Sequence, residues 1–138
     1  MFLSPFSMNL TINDNKNIQT LQSEFNAMFP FLRLMLTKAQ TEGETSRNIS
    51  VKQPFDEHTT LLAYKIAPDA APITIYPEMT VAELEHQFVQ QYGLEPIILR
   101  KSGKVWIETS ITDDWTLEEQ NTQGELITRQ MNERNKPS

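Results

Sequence analysis

Carboxylates are the residues in this chain with the plainest capacity for chemistry. Glu108, Asp113, Asp114, Glu118 and Glu119 crowd into one stretch of the sequence. Hard oxygen ligands at that density suit calcium or magnesium, which makes Glu108, Asp113, Asp114 and Glu118 candidate metal ligands. Their spacing is not that of an EF-hand loop, and the glycine such a loop requires is missing. The same residues also read as a helix start. Thr116-Leu117-Glu118-Glu119 has the form of a capping box, and acidic residues in a first turn complement the helix dipole. A small divalent-metal-binding protein or hydrolase is therefore one reading of the cluster, and a solvated helix terminus is the other.

Little else points to catalysis. The chain has no cysteine and only two histidines, His58 and His86. Without thiolates it is not a disulfide scaffold, a zinc ribbon, a thiol redox enzyme or a cysteine-ligated iron–sulfur protein. His86 falls on the flank of an amphipathic helix pattern away from its apolar stripe, as a solvated histidine would. There is no nucleophile elbow, phosphate-binding glycine loop, HExxH or dinucleotide fingerprint. No catalytic residue is assigned, no cofactor is implied, and an enzyme is disfavoured.

Twelve basic residues against 18 acidic ones give a net charge of −6 over 138 residues. Binding nucleic acid takes a basic face to neutralise phosphates, so that class is set aside. Mimicry of nucleic acid needs a continuous negative surface, which Arg100, Lys101 and Lys104 interrupt. No run approaches the ~18–20 apolar residues of a membrane helix. The apolar start, Met1 to Met8, lacks a basic n-region and a cleavage site and reads as a loose extension. With cysteine absent as well, a cytoplasmic protein without membrane contact is expected.

The elements that would position these groups come from an internal duplication. Laying residues 10–36 over 73–99 matches Thr11 with Thr74, Ile12 with Ile75, Leu21 with Leu84 and Phe25 with Phe88. Ile18, Leu21, Phe25 and Phe29 share one helix face, and Val81, Leu84, Phe88 and Tyr92 do the same. Asn17 caps the first helix and Pro30 ends it. Thr80-Val81-Ala82-Glu83 boxes the second, and Gly93 closes it. Each helix is followed by a strand. In the second copy Lys101-Ser102-Gly103-Lys104 then turns a hairpin into Val105-Trp106-Ile107-Glu108-Thr109. Thr60 to Ile66 reads as a further strand, 38–58 as a polar loop, and 129–138 as a frayed tail. Neither half is apolar enough to stand alone, so the whole of 1–138 reads as one domain.

Strand alternation indicates where a partner would sit. Leu32, Leu34 and Leu36 face one way, as do Ile97 with Leu99 and Val105 with Ile107. If helices cover that side, the other presents Phe31, Met35, Ile98 and Trp106, too apolar to stand bare in water. Cover by the C-terminal segment, with Trp115 beside Trp106, is one expectation. Binding of a protein partner or self-association through an edge strand is the other. Phe31, Met35, Ile98, Trp106 and Trp115 are the candidate contact residues.

Residues 59–109, read as strand, strand, helix, strand, strand, resemble the β-grasp (ubiquitin-like) unit through Ile73-Thr74-Ile75 and Met79-Thr80-Val81-Ala82-Glu83-Leu84. The expected fold is α+β, with duplicated strand–helix–strand units forming a mixed sheet that carries two helices on one face. A ferredoxin-like double βαβ arrangement is the alternative. Lys101 to Thr109, Thr112 to Asn121 and Asn9 to Phe29 together resemble a family of small uncharacterised bacterial proteins. That resemblance implies a bacterial origin and a single domain and carries no activity. A non-enzymatic interaction or adaptor module follows by analogy with β-grasp domains. A conjugated modifier is not expected, since those end in a diglycine and the sequence reads Lys136-Pro137-Ser138 at its end.

Overall fold

A computed structural model describes residues 9–38, 58–66 and 71–134. The polar stretch expected as a loop lies outside these residues except for its ends, as do Met1 to Met8. The elements in order are β1 (Leu10–Ile12), α1 (Ile18–Met28), β2 (Leu32–Lys38), β3 (Ile73–Ile75), α2 (Val81–Tyr92), β4 (Leu94–Ser102), β5 (Val105–Glu108) and α3 (Leu117–Arg134). Short 3-10 turns occupy Leu61–Tyr64 and Ser110–Thr112. The fold is α+β, with strand–helix–strand repetition and, among the described residues, two sheets and three helices where two were expected. The strands form a β1–β3 ribbon and a β2–β4–β5 sheet, antiparallel throughout, in place of the single mixed sheet expected.

Helix boundaries follow local chemistry. Asn17 accepts from the Thr20 N–H at 2.7 Å. Thr80 and Glu83 exchange both bonds of a capping box, at 2.8 and 3.1 Å. Thr116 and Glu119 do likewise at 2.8 and 3.0 Å, so Glu118 and Glu119 of the acidic run are in the first turn of α3. Gly93 ends α2 in the left-handed region, at φ 63°, where a side chain is strained. Helix α3 stays regular to Arg134, past the position where fraying is expected.

The strand–helix–strand repetition is visible in the pairing. In the ribbon Thr11 pairs with Thr74, its own equivalent. In the larger sheet Met35 pairs with Ile97. These pairs mark a pseudo-two-fold, because a self-complementary contact brings equivalent residues together at the axis. Phe25 stacks on Phe29 with centroids 5.3 Å apart, and Phe88 on Tyr92 at 5.9 Å. All four are buried in one core with Ile12, Ile73 and Ile75 of the ribbon.

The repeat also runs further than side chains reveal. Ile18 N–H donates to Thr59 O and Val81 N–H to Trp115 O; Leu61 N–H donates to Lys16 O and Leu117 N–H to Met79 O; Leu62 N–H donates to Asp14 O and Glu118 N–H to Pro77 O. Each copy therefore docks a helical turn against the N-cap of its own helix. In the second copy that turn continues as α3; in the first it is the 3-10 turn Leu61–Tyr64, where the sequence suggests a strand. Asp14 fixes this turn, accepting from Lys65 Nζ and from Tyr92 OH at 2.7 Å each.

One part of the repeat differs by a residue. Counted from the matched residues Phe29 and Tyr92, Pro30 and Phe31 lead into β2, whereas Gly93 alone leads into β4. Leu32, Leu34 and Leu36 thus correspond to Leu94, Pro96 and Ile98, and all six are buried. A one-residue slip moves every side chain of a strand to the opposite face. Ile98 is consequently in the core at 2% exposure, while Ile97 and Leu99 take the outer face assigned to it from alternation.

Candidate functional site

All three helices lie on one side of the β2–β4–β5 sheet. Leu32, Leu34, Ile98 and Leu117 share a single core with the apolar faces of α1 and α2. Arg100, cross-strand from Leu32, meets α3 on that same side. Its Nη1 donates to Gln120 Oε1 at 3.0 Å, and its guanidinium stands 5.6 Å from the centroid of the Trp115 ring. Gln120 is fully buried and donates to Thr112 O and Oγ1, each at 2.8 Å. Trp115 therefore belongs to the helix side, with Arg100 and α3, and among the described residues the C-terminal segment does not cover the outer face.

The outer face holds Met35 of β2, Ile97 and Leu99 of β4 and Trp106 of β5, all half-buried. Arg33 reaches across from β2, its guanidinium 4.2 Å from the centroid of the Trp106 ring. A cation over an indole face is held by the ring quadrupole, and here it links the two outer strands across β4. Lys101 and Glu108 border the platform. Among the described residues no helix lies over it.

The sequence-derived contact residues are thus divided. Met35 and Trp106 are on the outer face. Phe31 is tied to α3, its N–H donating to Asn121 Oδ1 at 2.8 Å. Ile98 is in the core and Trp115 is on the helix side. Ile97, Leu99 and Arg33 were missed; the short Gly93 connection was the one signal of the reversed phase in β4.

The two edges of the sheet differ. On β2, Gln22 Nε2 and Asn26 Nδ2 of α1 donate to Leu34 O and Leu32 O at 3.0 and 2.8 Å, occupying the carbonyls another strand would use. On β5 no strand pairs with the outer edge among the described residues. Thr109 N–H and Oγ1–H both donate to Ile98 O, where β5 leaves the ladder. Pro96 of β4 falls just beyond, where its missing N–H costs no ladder bond.

Beside Pro96 lies a cleft of about 200 Å³ whose lining includes Glu85, Glu95 and Glu108. Glu108 is thus separated from the candidate ligands it was grouped with. Asp113 follows a 3-10 turn and uses its carbonyl to accept from Ala82 N–H, and Glu118 is in the first turn of α3. Among the described residues no three Asp, Glu or His side chains gather to hold a metal ion. Also among them, no helix is long and apolar enough to cross a membrane.

Asp14 and Tyr92 perturb one another. The hydrogen bond from Lys65, then that from Tyr92, holds its carboxyl below the ordinary 3.8. Burial, then the Asp14 hydrogen bond, pushes the Tyr92 hydroxyl above its ordinary 10.0. Both partners are committed to one another, so the trio fastens the fold and offers no poised acid or base. Comparison of the chain with protein-family models, with curated proteins and with solved structures returns no match.

Proposed function

We propose that this chain is a non-enzymatic protein-interaction or adaptor module and that its partner docks on the outer face of the β2–β4–β5 sheet. One observation carries the reading: the helices share the other side, so that among the described residues no helix lies over Ile97, Leu99 and Trp106, and Met35 meets α1 only at the sheet edge, where Gln22 Nε2 donates to its sulfur at 3.8 Å. A bare sheet side in a solvated protein is ordinarily polar, and a contiguous apolar one marks a contact surface. The Arg33–Trp106 stack adds to this, since Trp and Arg are enriched where binding energy concentrates.

A photo-crosslinking residue in place of Leu99 tests it in cells that make the protein. Discrete protein adducts are expected, and they should be lost when Met35 and Ile97 are both changed to Thr. The same crosslinker at Leu126, on the exposed side of α3 at 47% exposure, is the comparison. Equal adducts at both positions, or none at Leu99, would refute this placement.

A further inference from the structure

We infer that β5 pairs with β5 of a second copy of this chain, antiparallel and centred on Trp106, to give a six-stranded sheet across the dimer. This names a partner for the sheet already proposed as the contact surface, and it rests on that reading only in taking the sheet to be where contacts form. An edge strand in a monomer is normally protected by charge, by proline or by a covering element. The β2 edge has such cover from Gln22 and Asn26. Among the described residues no element covers the β5 edge, and β5 shows apolar groups on both sides: Val105 is 57% and Ile107 38% exposed on one, and Trp106 stands beside Glu108 on the other.

The register follows from the pleat. Antiparallel bonds alternate along a strand. Because Thr109 bonds back to Ile98, the N–H and C=O of Trp106 and Glu108 point to the free edge. Only pairings that match outward-pointing residues with one another are allowed. The pairing that brings Lys104, in the turn just before β5, beside Glu108 sets Trp106 against Trp106 of the second copy. It sets Val105 against Ile107, and Lys104 against Glu108, each twice by symmetry. Lys104 and Glu108 are both exposed, and opposite charges directly across a ladder stabilise it. Like charges brought there repel, so the sequence Lys-Val-Trp-Ile-Glu is complementary to itself only when it runs antiparallel. A two-fold contact of this kind closes on itself and does not propagate.

Sedimentation of the full chain over a concentration series up to about 1 mM, the weak end of useful affinity, reads the pairing. A monomer–dimer equilibrium is expected, with the amide hydrogens of Trp106 and Glu108 exchanging more slowly as dimer forms. Lys104→Glu puts two carboxylate pairs across the seam and should weaken association about tenfold or more. Adding Glu108→Lys to it restores opposite charges and should recover association. Both positions are exposed, and a thermal melt confirms that each variant folds. A chain monomeric throughout, a Lys104→Glu variant that associates as the parent does, or a double variant that fails to recover would overturn the pairing. Loss of association on changing Met35 and Ile97 but not Lys104 would also overturn it, while leaving the outer-face reading intact.

Discussion

If the two copies build one core from equivalent parts, truncating equivalent residues must cost alike. Phe25 and Phe88 are both fully buried, and each stacks on an aromatic ring one helical turn further on. Removing a buried ring to Ala loses its transfer free energy, about 1.5–3 kcal/mol, and leaves a cavity that the surroundings only partly fill. The lost ring–ring contact adds about 0.5–1.5 kcal/mol. Phe25→Ala and Phe88→Ala should therefore each cost about 3–5 kcal/mol, a large share of the 5–15 kcal/mol that holds a typical domain together. Urea denaturation followed by far-UV circular dichroism gives both values, with an unchanged slope as the sign that only stability moved. A loss below about 1 kcal/mol at either position would refute the duplicated core. Trp106→Ala is the contrast: half-buried on the outer face, it should cost clearly less than either phenylalanine.

Other expectations come from single contacts. A Cβ added at Gly124 would stand 3.0 Å from Phe31 Cβ, 3.1 Å from Arg100 Cγ and 3.2 Å from Phe31 O. Gly124→Ala should thus destabilise by about 1–3 kcal/mol through overpacking, despite alanine's better helix propensity; a stabilised variant would show that α3 stands further from β2. Because the folded-state pKa of Asp14 is depressed below 3.8, its contribution is fully present above that value and is lost as pH falls through the folded pKa. Asp14→Asn should accordingly flatten the acid limb of the stability–pH curve, as read by urea midpoints from pH 5 downwards. Calcium or magnesium at millimolar concentration should leave the melting temperature unchanged, and a rise would restore the metal reading of Glu108, Asp113, Asp114 and Glu118, because a ligand bound only by the native state raises it.

The helices were legible because their determinants are local. Asn17, Thr80 and Thr116 cap within three residues of themselves, and the stripes Ile18 to Phe29 and Val81 to Tyr92 recur at the helical period. The matched β-α segments were legible for the same reason. The first-copy counterpart of α3 was not. It is carried by backbone hydrogen bonds such as Ile18 to Thr59 and Val81 to Trp115, which leave no side-chain signature, and its offset differs from the one that aligns the helices.

What the sequence by itself determined, then, is α1, α2 and the start of α3, their caps, the phenylalanine-centred core and the absence of any thiol chemistry. Tertiary structure decided the faces. A strand's alternation says that two sides differ but not which is inward, and the single-residue connection at Gly93 reversed β4 relative to β2. That reversal took Ile98 into the core and brought Ile97 and Leu99 out beside Met35. Arg33 and Trp106, 73 positions apart in the sequence, met only because β4 lies between their strands. Of the acidic residues that suggested a metal site, Glu118 opens α3 while Glu108 stays in β5 and Asp113 in the preceding turn, and among the described residues no strand pairs with the outer edge of β5. Chain closure over long separations set those placements, and no local pattern encodes it.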